Sequence, residues 1–364
     1  EPGAAPTAAG FCVIGMGKLG GGELNFSSDI DVIFVYSAEG TTTGGADGAP
    51  AISNHQFFTR LAEAMLSWLT EHGPEGYLYR VDTRLRPEGE SGPLTRSLAA
   101  CEIYYATQAR TWERLALLKA RPVAGDERVA RGFEALRRPF VFNPLHAEGL
   151  DGQVYELKGL IDGEVARRGD AGREIKRGRG GIREIEFLVQ TQQLLHGGAR
   201  PGLDSPSTLA ALAALAREGL MPREEAERLR CDYIFLRTLE HRLQMEQLRQ
   251  THRLPDNPRE LEALARRCGL TPRPGATPRE QLQAAWRETT ERVHAAFAKF
   301  FLPQGAEARP APAPADEAER ATRAVLSAEP EGNVLPAVQP FELADGSALK
   351  TLRRLAGMGR TVYL

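Results

Sequence analysis

The chain has 364 residues, of which 42% are hydrophobic and 26% are charged, and such a composition is ordinary for a soluble globular protein. Its formal net charge of −2 gives no overall attraction to nucleic acid or to an anionic membrane, so we expect neither as a partner. The four cysteines show no Cys-x-x-Cys spacing and no apolar run is long enough to span a membrane, which favours the cytoplasm.

The first part of the chain alternates between predicted strands and helices. Residues 1–10 are rich in Ala, Pro and Gly and are predicted to be a disordered lead-in. Apolar runs predict strands at 11–16 and 30–36. A helix is predicted from about Asn54 to His72, and Ser53 with Gln56 has the spacing of a capping box at its start.

Beyond the first 124 residues the pattern becomes helical. Residues 11–124 are therefore predicted to form an α+β domain and residues 125–303 a helical bundle. One long helix has an apolar stripe at steps of three and four residues, made of Leu229, Tyr233, Leu236, Leu239 and Leu243. Residues 304–364 begin with a Pro/Ala linker and are predicted to start a further, truncated region.

A glycine-rich turn followed by two carboxylates is the strongest chemical signal. Glycines between residues 15 and 22 permit a tight turn with exposed N–H groups. Asp29 and Asp31 follow, and residues two apart on a strand project to the same face. Two adjacent carboxylates repel each other, and a divalent cation such as Mg²⁺ or Mn²⁺ relieves that repulsion. The pair therefore predicts a metal site suited to displacement at phosphorus.

A third carboxylate is expected from Asp82, which ends another apolar alternating run. If the extended backbone persists, Arg80, Asp82, Arg84 and Arg86 share one face. Arg84 and Arg86 then either contact nucleotide phosphates or form surface ion pairs with Glu88 and Glu90. Lys18 either binds phosphate or only solvates the glycine-rich turn. The candidate nucleotide-contacting residues are Gly15, Gly17, Lys18, Gly20, Ser28, Arg84 and Arg86.

Four motifs together closely resemble the glutamine synthetase adenylyltransferase/deadenylylase family. They are residues 15–34, 79–94, 112–114 with 119–121, and 175–190. The same motifs resemble the broader DNA polymerase beta-type nucleotidyltransferase superfamily. That resemblance implies a polymerase beta-like nucleotidyltransferase domain followed by an all-α helical bundle domain, with Asp29, Asp31 and Asp82 as the catalytic, metal-holding residues.

The resemblance also implies a reaction. Asn25 and Phe26 resemble the amino-terminal, adenylyl-removing half of the family. That half implies phosphorolysis of AMP from an adenylylated tyrosine of glutamine synthetase, with orthophosphate as co-substrate and ADP as product. The PII signalling protein is a further partner implied by the family. Two alternatives are adenylylation of glutamine synthetase with ATP, and a non-catalytic module that binds glutamine synthetase or PII.

The sequence alone does not decide the roles of residues 176–186. Lys176 and Arg177 precede glycines that open a helix, so residues 176–181 either bind an anion such as orthophosphate or form a tight interdomain turn. Glu184 and Glu186 either interact with the helix dipole or, for Glu186, line the interdomain cleft.

Overall fold

The computed structural model describes residues 8–44, 50–170, 172–247 and 250–302, and within them the chain is a mixed α/β protein. Most of the predicted lead-in and all of region 304–364 lie outside the described residues. The chain divides into two compact units. The first unit consists of Glu1–Pro87 and Leu94–Phe301, and its described residues contain all the helices and strands named below. A 3-10 turn at Gly89–Ser91 belongs to the second unit.

The sheet is small and mixed. Its strands are β1 (Phe11–Gly15), β2 (Ile30–Tyr36), β3 (Val81–Asp82), β4 (Thr95–Ser97) and β5 (Arg121–Gly125). Strand β1 pairs antiparallel with β2 and with β5, whereas β3 and β4 both run parallel to β2. The strands predicted at 11–16 and 30–36 are confirmed, as is the strand ending at Asp82.

Strand alternation divides the sheet between two hydrophobic cores. Val13, Val32 and Phe34 belong to a small core on one face, with Ala62 of helix α2 (Asn54–Thr70). Ile33 and Val35 belong to the larger core on the other face. Asp31 has the same parity along β2 as Ile33, so its side chain projects to the face of the larger core.

Helix α2 (Asn54–Thr70) begins as its sequence predicts. Gln56 N donates to Ser53 Oγ at 3.1 Å and Ser53 N donates to Gln56 Oε1 at 3.2 Å, so the predicted capping box is confirmed. The helix ends at Thr70 rather than His72, because Glu71 takes an extended conformation.

Helices make up the rest of the described chain. A single turn, α1 (Gly17–Gly20), follows β1. The others are α3 (Leu98–Thr107), α4 (Thr111–Leu117), α5 (Glu127–Val141), α6 (Leu150–Arg167), α7 (Ile182–His196), α8 (Thr208–Arg217), α9 (Arg223–Gln247), α10 (Pro258–Arg267) and α11 (Pro278–Phe301). The predicted apolar stripe lies on α9 and all five of its residues are buried. Among the described residues, we find no helix that is both long and apolar enough to cross a lipid bilayer.

Candidate active site

The glycine-rich turn lies directly against Asp31. Gly15 ends β1, and Gly17 begins α1 with a φ of +51°, a conformation that favours glycine. A Cβ atom on Gly17 would lie 2.6 Å from Asp31 Oδ2. Met16 N also donates to Asp31 O at 2.8 Å. The turn and the first carboxylate therefore form one packed unit.

Residues 119–121 close the other side of this turn. A Cβ atom on Gly20 would lie 1.7 Å from the backbone oxygen of Lys119, so the two backbones touch. Arg121 Nε donates to Gly20 O at 2.9 Å. This contact explains why a glycine is required at position 20.

Sheet pairing brings the predicted carboxylates together. Asp31 on β2 is the register partner of Asp82 on β3, and Asp29 precedes β2. Neighbouring strands are about 4.8 Å apart, so paired side chains on one face lie side by side. Burial, followed by the charges of Asp82 and Asp29, raises the pKa of Asp31 to about 7. The Asp31 carboxylate thus lies in a strongly negative environment.

Arginine side chains hold the two outer carboxylates. Arg80 Nε donates to Asp29 Oδ1 at 2.6 Å, and Arg84 Nη2 donates to Asp82 Oδ2 at 2.6 Å. Burial alone would raise the pKa of Asp82, but Arg84 outweighs it and lowers the pKa. Arg84 therefore forms an ion pair with Asp82 within the site, a pairing that differs from the two alternatives open from the sequence.

The predicted shared face of Arg80, Asp82, Arg84 and Arg86 does not form, because the extended backbone ends at Asp82. Arg84 N donates to Asp82 Oδ1 at 2.8 Å, which closes a turn immediately after β3. Arg86 Nη1 donates to Thr83 O at 2.9 Å. Ser28 is half-buried, and its N–H donates to Asn25 O at 3.4 Å.

The three carboxylates suit a divalent cation by their chemistry. Carboxylate oxygens are the ligands that Mg²⁺ and Mn²⁺ prefer, and a cation would relieve the repulsion that raises the pKa of Asp31. Across the residues described, however, no three His, Cys, Asp or Glu side chains are arranged to hold a metal ion. Asp29 and Asp82 would have to exchange Arg80 and Arg84 for the cation.

Helix α9 supplies a counterion for the turn. Lys18 Nζ lies 2.9 Å from Oε1 of Glu240, whose side chain is fully buried. Arg237 and His252 also pair with Glu240. Burial lowers the pKa of Lys18 although Glu240 acts in the opposite direction. Sequence reasoning missed Glu240, although a charge between Leu236 and Leu243 of the apolar stripe was a signal for it.

Glu23, just after the glycines, joins the turn to three helices. Its carboxylate lies 2.9 Å from Lys119 Nζ, and it accepts hydrogen bonds from Thr208 N at 2.8 Å and Tyr233 Oη at 2.9 Å. Lys119 in turn lies 3.4 Å from Glu186 on α7. These buried contacts fix the turn against α7, α8 and α9.

Asn25 and Phe26 have different surroundings. Asn25 is buried and its Nδ2 donates to Gln244 Oε1 at 2.9 Å. Phe26 is 70% exposed and meets the ring of His241 edge-on, with 5.8 Å between centroids. The Asn25 amide therefore contributes to packing against α9, while Phe26 lies at the surface beside it.

Glu184 lies inside the helical part and not at the acidic site. It is 1% exposed, lies 3.0 Å from Lys158 Nζ, and has His294 Nδ1 at 3.2 Å. Glu186, two residues on, faces Lys119 and Arg183 instead. The two acidic residues of this motif thus have separate surroundings.

Comparison with known proteins gives two family matches. Residues 2–136 match a family described as Glutamate-ammonia ligase adenylyltransferase, and residues 156–301 match one described as GlnD PII-uridylyltransferase. Two curated relatives are bifunctional glutamine synthetase adenylyltransferase/adenylyl-removing enzymes, from Burkholderia pseudomallei (strain K96243) and Burkholderia mallei (strain ATCC 23344). Each is 47% identical over 267 residues, which is 71% of this chain.

The chain spans 29% of the length of each of these relatives. The matched residues include the glycine-rich turn, the three carboxylates and the motif that opens α7. The resemblance predicted from the four motifs is confirmed: the chain is a relative of the glutamine synthetase adenylyltransferases.

Proposed function

We propose that this chain removes AMP from an adenylylated tyrosine of glutamine synthetase by metal-dependent phosphorolysis. The observation that carries the proposal is the pairing of Asp31 with Asp82 directly beside the glycine-rich turn. The relatives' printed names support glutamine synthetase as the substrate and include adenylyl removal. The family likeness of Asn25 and Phe26 to the adenylyl-removing half favours removal over transfer.

We further propose a polymerase beta-like nucleotidyltransferase domain for residues 11–124 and a helical bundle domain for residues 125–303. The first contains the five-stranded sheet and the turn. The second contains helices α5 to α11. The active site then lies where the turn meets α9 through Lys18 and Glu240.

The reaction is a displacement at phosphorus. An oxygen of orthophosphate forms a bond to the AMP phosphorus as the bond from phosphorus to the tyrosyl oxygen breaks. The electron pair passes to the phenolate, which then takes a proton, and the products are ADP and unmodified synthetase. Tyrosine has a pKa of about 10, so its phenolate is an adequate leaving group without a dedicated acid.

The chain's residues bind and orient the reactants. Backbone N–H groups and Lys18 at the turn approach the phosphates, and Arg80 and Arg84 supply positive charge beside them. Asp29, Asp31 and Asp82 are the residues that would hold a divalent cation. When bound, such a cation neutralises charge on the phosphodiester and stabilises the leaving phenolate.

The PII protein is proposed as a second partner. The likeness of residues 156–301 to the family described as GlnD PII-uridylyltransferase supports this, because the helical part of the chain is the part that matches.

The first test measures ADP release from adenylylated glutamine synthetase with magnesium, with and without orthophosphate. We expect ADP only when orthophosphate is present. Transfer of AMP from ATP to the synthetase, without phosphorolysis, would identify the adenylylating activity instead. No turnover in either direction would favour a module that only binds glutamine synthetase or PII.

The Asp31→Asn variant sharpens this test. We expect ADP release to fall by about 10³-fold, because the carboxylate at the centre of the acidic group is lost. The same change removes the repulsion from Asp82 and Asp29, so Tm measured without metal should rise. Asp151→Asn, at an exposed position in α6, is the control and should leave ADP release unchanged and should not raise Tm. Retained activity in Asp31→Asn would refute the metal assignment.

A further inference from the structure

Lysine is rare in this chain and concentrated in packed regions. Only six of the 46 basic residues are lysines. Lys350 lies outside the described residues, and Lys299 is 71% exposed. The remaining four are buried or half-buried, and they are Lys18, Lys119, Lys158 and Lys176. Lysine presents a compact charge with three freely rotating donors, unlike the planar fork of arginine.

Three of these four lysines have a carboxylate partner. Lys18 lies 2.9 Å from Glu240, Lys119 lies 2.9 Å from Glu23, and Lys158 lies 3.0 Å from Glu184. The ammonium group of Lys176, by contrast, has no ion pair or hydrogen bond with any residue in the described part of the chain. Lys176 is half-buried, so its ammonium group is partly withdrawn from water, and an external anion would supply the missing counterion.

The backbone holds Lys176 in place. Ile175 N donates to His252 O at 2.7 Å, and Arg183 N donates to Lys176 O at 2.8 Å. Lys176 N donates to Glu174 Oε1 at 3.0 Å. Backbone hydrogen bonds on both sides of Lys176 therefore fix its position.

The surroundings of Lys176 are rich in positive charge. Burial, followed by the charges of Lys18 and Arg183, lowers its pKa to about 8, although Glu240 and Glu186 act in the opposite direction. Those two carboxylates already have partners, since Glu240 pairs with Lys18 and Arg237, and Glu186 with Lys119. Hydrogen bonds and ion pairs also place this segment near the turn, because Ile175 N donates to His252 O and His252 pairs with Glu240, the partner of Lys18. Gly17, next to Lys18, packs against Asp31, so the region borders the acidic site.

We propose that Lys176 and Lys18 together form a binding site for a phosphate dianion beside Asp31. Lys18 comes from the glycine-rich turn and Lys176 from the segment before α7, so the site needs both parts of the chain. The inference rests on the proposed function for the identity of the ligand, which is the attacking orthophosphate. In the product this group is the terminal phosphate of ADP, whereas AMP lacks it.

The two lysines would act on the attacking group. A phosphate dianion that approaches Asp31 and the phosphodiester is repelled by the negative charge of both. Two ammonium groups on the side of the phosphate that faces away from the phosphodiester offset this repulsion. They also fix its position for in-line attack. Lys176 thus contacts the nucleophile, whereas Arg80 and Arg84 lie at the outer carboxylates.

Amine acylation followed by peptide mass spectrometry tests the site without turnover. The pKa of Lys176 is lowered to about 8, so at that pH about half of its side chain is the neutral amine, which is the form that reacts with acylating reagents. We expect saturating orthophosphate or ADP to slow acylation of Lys176 by about tenfold, while AMP does not and Lys299 is unaffected. Protection by ADP alone would assign the site to a nucleotide phosphate. Equal acylation under all conditions would overturn the proposal.

Kinetics of Lys176→Met give an independent reading. We expect KM for orthophosphate to rise by about tenfold or more, with a smaller change in kcat. Tm measured without phosphate should rise, because the change removes a cation that has no counterion. Lys299→Met, at the exposed lysine of α11, is the matched control. If the chain releases no ADP, the proposed function fails and acylation still decides the anion site. If ADP release is normal and KM is unchanged in Lys176→Met, the anion site fails alone.

Discussion

Glu186 lies between two cations in the packed region behind the turn. Its carboxylate is 3.4 Å from Lys119 Nζ and 3.3 Å from Arg183 Nη1. Burial alone would raise the pKa of Glu186, but Lys119, Arg183 and Lys176 outweigh it and lower the pKa to about 2. The ionised form is therefore the one that stabilises the folded protein.

This pKa predicts an acid-dependent loss of stability. A carboxyl whose pKa is lowered by folding stabilises the protein above its ordinary pKa of 4.5, and that stabilisation disappears as the pH falls towards about 2. Glu186→Gln should therefore reduce the free energy of unfolding by roughly 3 kcal/mol at neutral pH. The reduction should be much smaller near pH 2, where Glu186 of the parent chain is itself becoming protonated.

Urea denaturation of both proteins across this pH range measures the difference directly. The exposed Glu63→Gln provides the control, and its difference from the parent chain should be small at every pH. A difference for Glu186→Gln that stays constant from neutral to acid pH would contradict the argument.

At the scale of elements, the turn depends on backbone contacts that only glycine allows. Helix α1 is a single turn, and its last residue, Gly20, touches the backbone of Lys119. That contact joins the end of β1 to the start of β5 through Arg121. The same packing places Lys18 towards Glu240 on α9.

Gly20→Ala should therefore be severely destabilising. The added Cβ atom would lie 1.7 Å from Lys119 O and 2.5 Å from Gly15 O, and neither is a movable side chain. We expect a loss of about 3 kcal/mol or more in the free energy of unfolding. Gly159→Ala in the middle of α6 meets no atom within 4 Å and should stabilise by about 0.5–1 kcal/mol.

Chemical denaturation of the two glycine variants tests the contrast. Gly20→Ala and Gly159→Ala make the same chemical change within a helix, so a difference between their effects reports the atoms that surround each position. An effect below about 0.5 kcal/mol for Gly20→Ala would mean that the turn can move away from residues 119–121.

At the scale of the whole molecule, one large core reaches from the sheet into the helices. Ile33 and Val35 of β2 belong to the same buried cluster as Leu236 of α9 and Phe297 of α11. Buried ion pairs cross the same region, as between Glu23 and Lys119. Among the described residues, this core contains side chains from both sides of positions 124–125, where the sequence predicts the domain boundary.

We therefore expect a single cooperative thermal transition for residues within this core. Scanning calorimetry should give equal calorimetric and van't Hoff enthalpies if the sheet and the helices unfold together. Two separate transitions would instead support independent domains at 11–124 and 125–303.

Local patterns in the sequence predicted β1, β2, the capping box of α2 and the stripe of α9. These features depend on residues at most a few positions apart, and over such distances the periodicity of strands and helices can be recognised in the sequence. The turn and the pair Asp29 and Asp31 were predicted for the same reason. The condition of an extended backbone after Asp82, on which the shared face of the three arginines depends, is not met, because the Asp82 carboxylate accepts the backbone N–H of Arg84.

The sequence by itself therefore determined strands β1 and β2, the start of helix α2, the stripe of α9 and the family resemblance. Only the tertiary structure decided which charges meet. Lys18 and Glu240 are 222 residues apart, and no periodicity relates such positions. The same holds for Lys119 with Glu23. For Lys176, only the fold shows that no carboxylate among the described residues pairs with its side chain. Electrostatic energy depends on distances in space, and those distances are set by the packing of the turn against the helices.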